Sequence, residues 1–359
     1  MASEPDTEEA AATFGPEEVG LATRNHGMPL EALRYEITPP GLHYLLIHFD
    51  VPAVDPDAWR LEVGGAVARP LSLSLADIGA RKAASAPVTM ECAGNGRAYL
   101  DPRPVSQPWG QEAVGTATWT GVPLRAVLAE AGPTEAAVEV VFAGLDRGFD
   151  GGEEQDYARS LSMAEAGRDD VLLAFGMNGT PLPPQHGFPL RLIVPGWYGM
   201  TSVKWLRSIT VVDRPFEGYQ MTHAYRLRQT EDEPGTPLSR IQPRSLMEPP
   251  GIPDFLTRER FVAAGPCTLQ GRAWSGWGPI ERVEVSTDGG STWADGELGP
   301  AAGPSAWRPW SLVWEAAPGE YELCCRATDS AGNVQPLEAI WNVGGYANNS
   351  VQRVQVTVR

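Results

Sequence analysis

Apolar and polar positions alternate along much of this chain at the period of a strand. Trp59-Arg60-Leu61-Glu62-Val63 switches face at every residue and runs into Gly64-Gly65, as a strand entering a turn would. Ser74-Leu75-Ala76-Asp77-Ile78 reads as the start of a short helix, and Thr120 to Gly132 as a longer one, with Pro123 near its first turn and Gly132 just past its end. Val138 to Ala143 is a predicted strand, followed by a Gly144-Leu145-Asp146 loop. Leu161 to Ala166 reads as helix, and Val171 to Phe175 is an apolar run short enough for a buried strand. Helices and strands mix without a steady β-α-β rhythm, which points to the α+β class.

From about residue 265 the texture changes. Arg282–Ser286, Trp310–Trp314, Tyr321–Ala327 and Val351–Val358 are short alternating stretches, with Asp288-Gly289-Gly290 as a hairpin turn between two strands. Their spacing predicts an immunoglobulin-like β-sandwich. The chain therefore divides into an acidic, disordered tail at 1–20, a first domain at 21–250 and a sandwich at 251–359. The Pro-rich stretch from Pro234 through Pro253 is a connection that packs on the surface.

A length of 359 residues suits two domains. The formal net charge of -17 argues against a general nucleic-acid binder, which needs clustered Lys and Arg, and suits either a basic partner or a merely solvated acidic surface. Cys92, Cys267, Cys324 and Cys325 have no metal-finger spacing and no disulfide framework. Met1-Ala2-Ser3-Glu4-Pro5-Asp6 carries no leader-like features, so the chain reads as cytoplasmic, or periplasmic if a leader has been removed. Nothing approaches the roughly 18 apolar residues of a membrane span.

Chemistry concentrates in three stretches. In Thr89-Met90-Glu91-Cys92-Ala93-Gly94-Asn95-Gly96-Arg97 a strand gives way to glycines, which holds Cys92 where its sulfur is exposed, with Arg97 near enough to favour the thiolate. Such a sulfur is a nucleophile, a soft metal ligand or merely a packed small residue. Thr23-Arg24-Asn25-His26-Gly27-Met28-Pro29 reads as a loop on which Arg24 and His26 face one ligand, or as a plain surface turn. In Pro183 to Gly196 and Gly199 to Leu206, His186, Arg191, Ser202 and Lys204 flank glycine corners: either three of them converge, with backbone amides of the turns, on a phosphate or another multiply charged anion, or Arg191 and Lys204 are ordinary surface charges on strand ends.

The Cys-Ala-Gly-Asn run resembles the cofactor-cysteine motif of the sulfite oxidase family of molybdenum enzymes. Arg24-Asn25-His26, His186–Arg191 and Val194–Leu206 are similar to three further motifs of that family, and Val285–Trp293 with Asn333–Pro336 to its dimerisation domain. The resemblance implies a molybdenum-cofactor domain followed by an immunoglobulin-like domain. Molybdenum, carried by molybdopterin, would be bound by Cys92, with Arg24, Asn25, His26, Asp146, His186, Arg191, Ser202, Val203 and Lys204 as further cofactor contacts. Arg24, Arg97, Trp109 and Tyr225 would serve the substrate. Two family arginines are glycines here, Gly96 and Gly344, and the aspartate before the pocket tyrosine is Ala224. The implied activity is oxidation of sulfite to sulfate by a homodimer lacking a haem domain, with electrons passed to an external acceptor such as a small basic c-type cytochrome. Alternatives are reduction of another oxyanion or a sulfoxide, such as nitrate reduction, a cysteine hydrolase pairing Cys92 with His26 or His186, and a non-catalytic assembly module.

Overall fold

The computed structural model describes residues 14–359. Most of the segment expected to be a disordered acidic tail lies outside the described residues. Its last part is helical: α1 spans Pro16–Arg24, with proline in its first turn and Glu18 accepting from the Gly15 amide at 3.0 Å while ion-paired to Arg103.

The first domain is built on two sheets. The strands β1 (Leu61–Gly65) and β2 (Leu71–Leu73) lead to α2 (Leu75–Gly79), whose start is capped by Ser74 accepting from the Asp77 amide at 3.1 Å. Then follow β3 (Ala84–Glu91), β4 (Val114–Pro123), α3 (Leu124–Ala131), β5 (Glu139–Asp150) and β6 (Glu153–Ser162). The domain continues through α4 (Met163–Ala166), β7 (Leu172–Met177), β8 (Thr180–Pro181), β9 (Arg191–Ile193) and β10 (Leu206–Val212). One sheet has the order β2-β1-β10-β5-β6, and the other runs β3-β4-β7-β8 with β9 also on β7. An apolar core including Leu61, Val127, Phe142, Leu192 and Ile209 binds the first sheet to the helices.

Three sequence expectations shift at element ends. The helix expected from Thr120 begins at Leu124, because Thr120–Pro123 is still paired with β7 and Pro123 is the residue that caps the helix. The 144–146 loop is an irregularity inside β5: the register with β6 slips between Ala143 and Arg147, and pairing resumes. Leu161 and Ser162 close β6, so only Met163–Ala166 is helical, with the Ser162 hydroxyl accepting from the Glu165 amide at 3.2 Å.

After α5 (Tyr219–Thr222), a small ribbon of β11 (Arg226–Leu227) and β12 (Thr236–Pro237) precedes the sandwich. Its first sheet has the order β13 (Arg244–Met247), β16 (Gly265–Trp274), β20 (Arg308–Ala316), β19 (Glu297–Leu298). The second runs β14 (Ile252–Pro253), β15 (Arg260–Val262), β22 (Gln352–Val358), β21 (Gly319–Asp329), β17 (Ile280–Ser286), β18 (Ala294–Asp295). Leu269, Val283, Leu323 and Cys325 fill the space between the sheets. The sandwich thus takes a strand, β13, from inside the Pro-rich stretch: every β13 side chain is buried, which a surface connection would not allow.

The two domains share structure. A third apolar cluster joins Met28, Val114, Tyr198 and Tyr225 to Leu246, Trp274 and Trp307 of the sandwich. A buried ion pair crosses the junction between Arg244 Nε and Glu91, at 2.8 Å with both side chains 1% exposed. Trp274 donates its indole N–H to the same carboxylate at 2.8 Å. The residue before Cys92 is therefore anchored from the second domain. No helix among the described residues is long and apolar enough to cross a membrane.

Candidate active site

Cys92 follows the last residue of β3 directly. Its amide donates to the Ala113 carbonyl at 2.9 Å, and its own carbonyl accepts from Asn95 at 3.0 Å, closing a tight turn. Gly96 adopts φ +89°, and a Cβ there would lie 2.9 Å from the Asn348 carbonyl, so no arginine fits at this position. Gly344 has no room either, since an added Cβ would sit 2.3 Å from the Tyr346 ring.

The sulfur does not face solvent as the strand-to-turn switch suggested. Cys92 is 7% exposed and lines a cavity that opens to solvent, about 590 Å³ with that open part included. Burial pushes its thiol up, and the opposing pull of Arg97 is the smaller effect. Arg97 is not a cavity residue. It is buried, donating to the Gly344 carbonyl at 3.0 Å and the Gln107 carbonyl at 3.2 Å, with its guanidinium 5.1 Å from the Tyr346 ring. Trp109 packs in the same buried cluster as Cys92, where its indole favours the thiolate, but does not line the cavity.

One group of predicted residues does come together. His186, Arg191, Ser202, Lys204 and Asp146 all line the cavity with Cys92. Arg191 donates to the His186 and Ser202 carbonyls at 2.9 and 3.0 Å, and Lys204 Nζ to the carbonyls of Leu46 and Gln185 at 2.7 and 3.1 Å. Gly187, at φ +105°, lets these chains approach, because a Cβ there would lie 3.0 Å from that of Lys204 and 3.2 Å from that of Arg191. Burial pulls Lys204 down to about 7 and Arg191 to about 10, and pushes Asp146 up to about 7 against the attraction of Lys204. Val203 instead turns into the core and spends its amide on the Thr201 carbonyl at 3.0 Å.

The Arg24-Asn25-His26 run is not part of this cavity. Arg24 is the last residue of α1, with its side chain 44% exposed and directed at the Phe49 carbonyl near Asp50. Asn25 caps that helix, donating to Leu21 and Gln107 and accepting from the Ile47 amide at 2.7 Å. His26 is exposed. Asn25 ends the helix and braces the segment beside it, while Arg24 and His26 stand outside the cavity wall, close enough to act electrostatically on Lys204 and on His43 and His186.

That neighbouring segment supplies what the sequence reading missed. His43, Tyr44, Leu45, Leu46 and His48 line the cavity, as does Tyr157 of β6. His48 Nε2 lies 2.5 Å from the hydroxyl of Tyr225, a predicted residue that also lines the cavity, and its ring stacks on Tyr157 at 4.7 Å. His43 meets His186 edge to face at 5.5 Å. Burial holds His43 at about 4, His48 at about 3 and His186 at about 2, so all three are neutral at physiological pH. Two histidines flanking the apolar Tyr44–Ile47 run were the available hint.

The donor set fits a large, polar, partly anionic group. Asp146 Oδ1, Arg191 Nε and His43 Nε2 are buried without a hydrogen-bond partner, around a cavity that also offers Ser202, Lys204 and one sulfur. A hydrolytic pairing of Cys92 is disfavoured. His186 is too weak a base to take a thiol proton near neutral pH, and His26 lies outside the cavity.

Comparison with known proteins gives two family matches: the oxidoreductase molybdopterin-binding domain over residues 48–220, and the Mo-co oxidoreductase dimerisation domain over 254–359. The sequence is 38% identical to sulfite oxidase of Gallus gallus over 97% of this chain and 80% of that one. It is 38% identical to mitochondrial sulfite oxidase of Homo sapiens (90% of this chain, 62% of that one). Identity to a nitrate reductase of Hordeum vulgare is 36%, over 90% of this chain and 39% of that one. The crystal structure of the sulfane dehydrogenase SoxCD from Paracoccus pantotrophus superposes with a TM-score of 0.81 at 27% identity, over 99% of this chain and 93% of that one.

Proposed function

The chain belongs to the sulfite oxidase family of molybdopterin-dependent oxidoreductases, and from that premise we propose that it oxidises sulfite to sulfate at the Cys92 cavity. The observation carrying this reading is the convergence of one buried sulfur with His186, Arg191, Ser202, Lys204 and Asp146 on a single cavity. Cys92 would hold molybdenum, and the cationic group would hold the pterin and its phosphate, aided by His43. When bound, the molybdenum cofactor supplies the two-electron oxygen-transfer chemistry.

The chain's own residues position and screen. Tyr225 and His48 are both neutral, and when His48 Nε2–H donates to the Tyr225 oxygen, the hydroxyl keeps its own hydrogen for a substrate oxygen. Tyr157, whose hydroxyl is tied to the Met200 carbonyl at 2.7 Å, keeps the His48 ring stacked in place. The low exposure of Tyr157 and Tyr225 strengthens each of these contacts. Sulfite and one water yield sulfate, two protons and two electrons. The electrons would leave singly to a separate acceptor, for which a small basic cytochrome c suits the net charge of -17. A homodimer through residues 254–359 is expected, and sedimentation giving only monomer at micromolar concentration would contradict it.

Turnover of molybdenum-loaded protein with sulfite and ferricyanide tests the substrate, beside nitrate with a reduced dye. Sulfite oxidation is expected in the wild type and its loss in Cys92→Ser, with the fold retained. Fully loaded protein that leaves sulfite untouched would overturn the substrate. A second reading is a less charged sulfur substrate, such as the sulfane sulfur named for the SoxCD relative. It is favoured by the placement of Arg24 outside the cavity and by Gly96 and Gly344, which leave Arg191 as the guanidinium lining the wall.

A further inference from the structure

Beside the substrate pocket lies a guanidinium that the sequence motifs did not mark. Arg159 stands on β6 two residues from Tyr157, on the same face of the strand, and is 2% exposed. Its guanidinium carbon is 5.4 Å from the centre of the Tyr225 ring. One nitrogen donates to the Gln220 carbonyl, and Nε has no acceptor. No carboxylate pairs with it among the described residues, and burial works against its charge, with only the phenols of Tyr157, Tyr225 and Tyr346 beside it. A buried cation without a counter-ion is costly, and it is tolerated where a ligand brings the missing negative charge.

The neighbourhood sharpens the point. Tyr225 packs on Tyr346 at 5.2 Å, and Arg97 lies over the far partner, so two guanidiniums bracket two tyrosines. Arg97 is committed to two carbonyls. Arg159 alone of the pair keeps an N–H without an acceptor.

We propose that Arg159 is a specificity-determining residue: packed against Tyr225, it supplies the positive charge that draws an oxyanion to the Cys92 cavity, in place of the guanidiniums absent at Gly96 and Gly344. This rests on the sulfite reading and adds to it a residue that selects charged over neutral sulfur substrates. From a side chain only 2% exposed one such charge acts over several ångströms, through the Tyr225 hydroxyl or on the anion itself.

Holoenzyme carrying Arg159→Gln or Arg159→Lys is compared with wild type in three measurements: sulfite kinetics, the rise in melting temperature on adding sulfate, and molybdenum and pterin content. In Arg159→Gln, KM for sulfite is expected to rise about 10- to 100-fold with kcat changed only a few-fold, the sulfate-induced shift to vanish, and cofactor content to stay at the wild-type level. Arg159→Lys keeps a charge but loses the planar fork, so KM should rise roughly 3- to 10-fold. Should Arg159→Gln not accumulate as folded protein, Arg159→Lys decides, and an unchanged KM and sulfate response there overturns the proposal. Loss of pterin with either variant also overturns it, because the charge would then belong to the cofactor. If the wild type binds sulfate through Arg159 but does not oxidise sulfite, the anion site stands and only the substrate fails.

Discussion

His43 and His186 are buried and His48 half-buried, all three as neutral imidazoles, and that state ties the stability of the chain to pH. Each is held far below its ordinary value of 6.5, at about 4, 3 and 2, chiefly because burial disfavours the charged ring. The unfolded chain takes up protons below 6.5 while the native chain does not, so the stabilisation is fully present above that pH and is lost as pH falls towards the native values. Asp146, raised to about 7, acts in the opposite sense over its own range but is one group against three. Cofactor-free protein is expected to lose on the order of a few kcal/mol between pH 6.5 and 4, read as a falling urea midpoint. His43→Asn should flatten the slope, and a slope unchanged by it would show that the imidazole is not buried neutral. The same residues show what the sequence could reveal. Cys92, His186, Arg191 and Lys204 were legible because glycines and prolines punctuate the strands that carry them. His43 and His48 were not, since they sit in an apolar stretch whose inward face is decided only by packing, nor was Arg159, a charged residue among the polar ones of β6. Arg24-Asn25-His26 lies outside the cavity wall because the run also ends a helix, which three ligand-type residues in a row do not announce.

At the scale of elements, the cationic wall depends on turns more than on strands. The 3-10 turn Pro184–His186 ends at Gly187, whose φ of +105° and lack of Cβ let the strand bearing Arg191 close on the segment bearing Lys204. Gly187→Ala combines backbone strain with a contact that neither neighbour can relieve easily. A loss of about 1 to 3 kcal/mol is expected, together with weaker pterin retention at equal expression. A variant of wild-type stability with full cofactor would mean that the turn relaxes freely. Element types were mostly readable from periodicity, whereas their ends were not. At Pro123 and at Ser162 a strand passes straight into a helix, and the residue that starts the one also finishes the other. The slip in β5 was hidden for a related reason, because a bulge leaves Gly144-Leu145-Asp146 looking like any turn.

Across the whole molecule, the junction between domains carries charge where a hinge would carry water. Arg244 and Glu91 are both 1% exposed and meet at 2.8 Å, with Asn95 and Trp274 completing the carboxylate's hydrogen bonds. Removing one partner strands the other: Arg244→Met is expected to cost about 3 to 5 kcal/mol, and the double variant Glu91→Gln with Arg244→Met distinctly less. Equal losses in the two would mean that the guanidinium contributes through packing alone. The sandwich class was readable from its alternating strands, but its reach into the first domain was not, since nothing local marks β13 as a strand that both closes one core and braces another. The sulfur-bearing turn is consequently joint property. Cut before residue 244, the gene would still encode the cysteine, the histidines and the lysine, yet the product would lack the brace that keeps them in register. Grafting this catalytic module onto another scaffold would therefore have to bring its neighbour along.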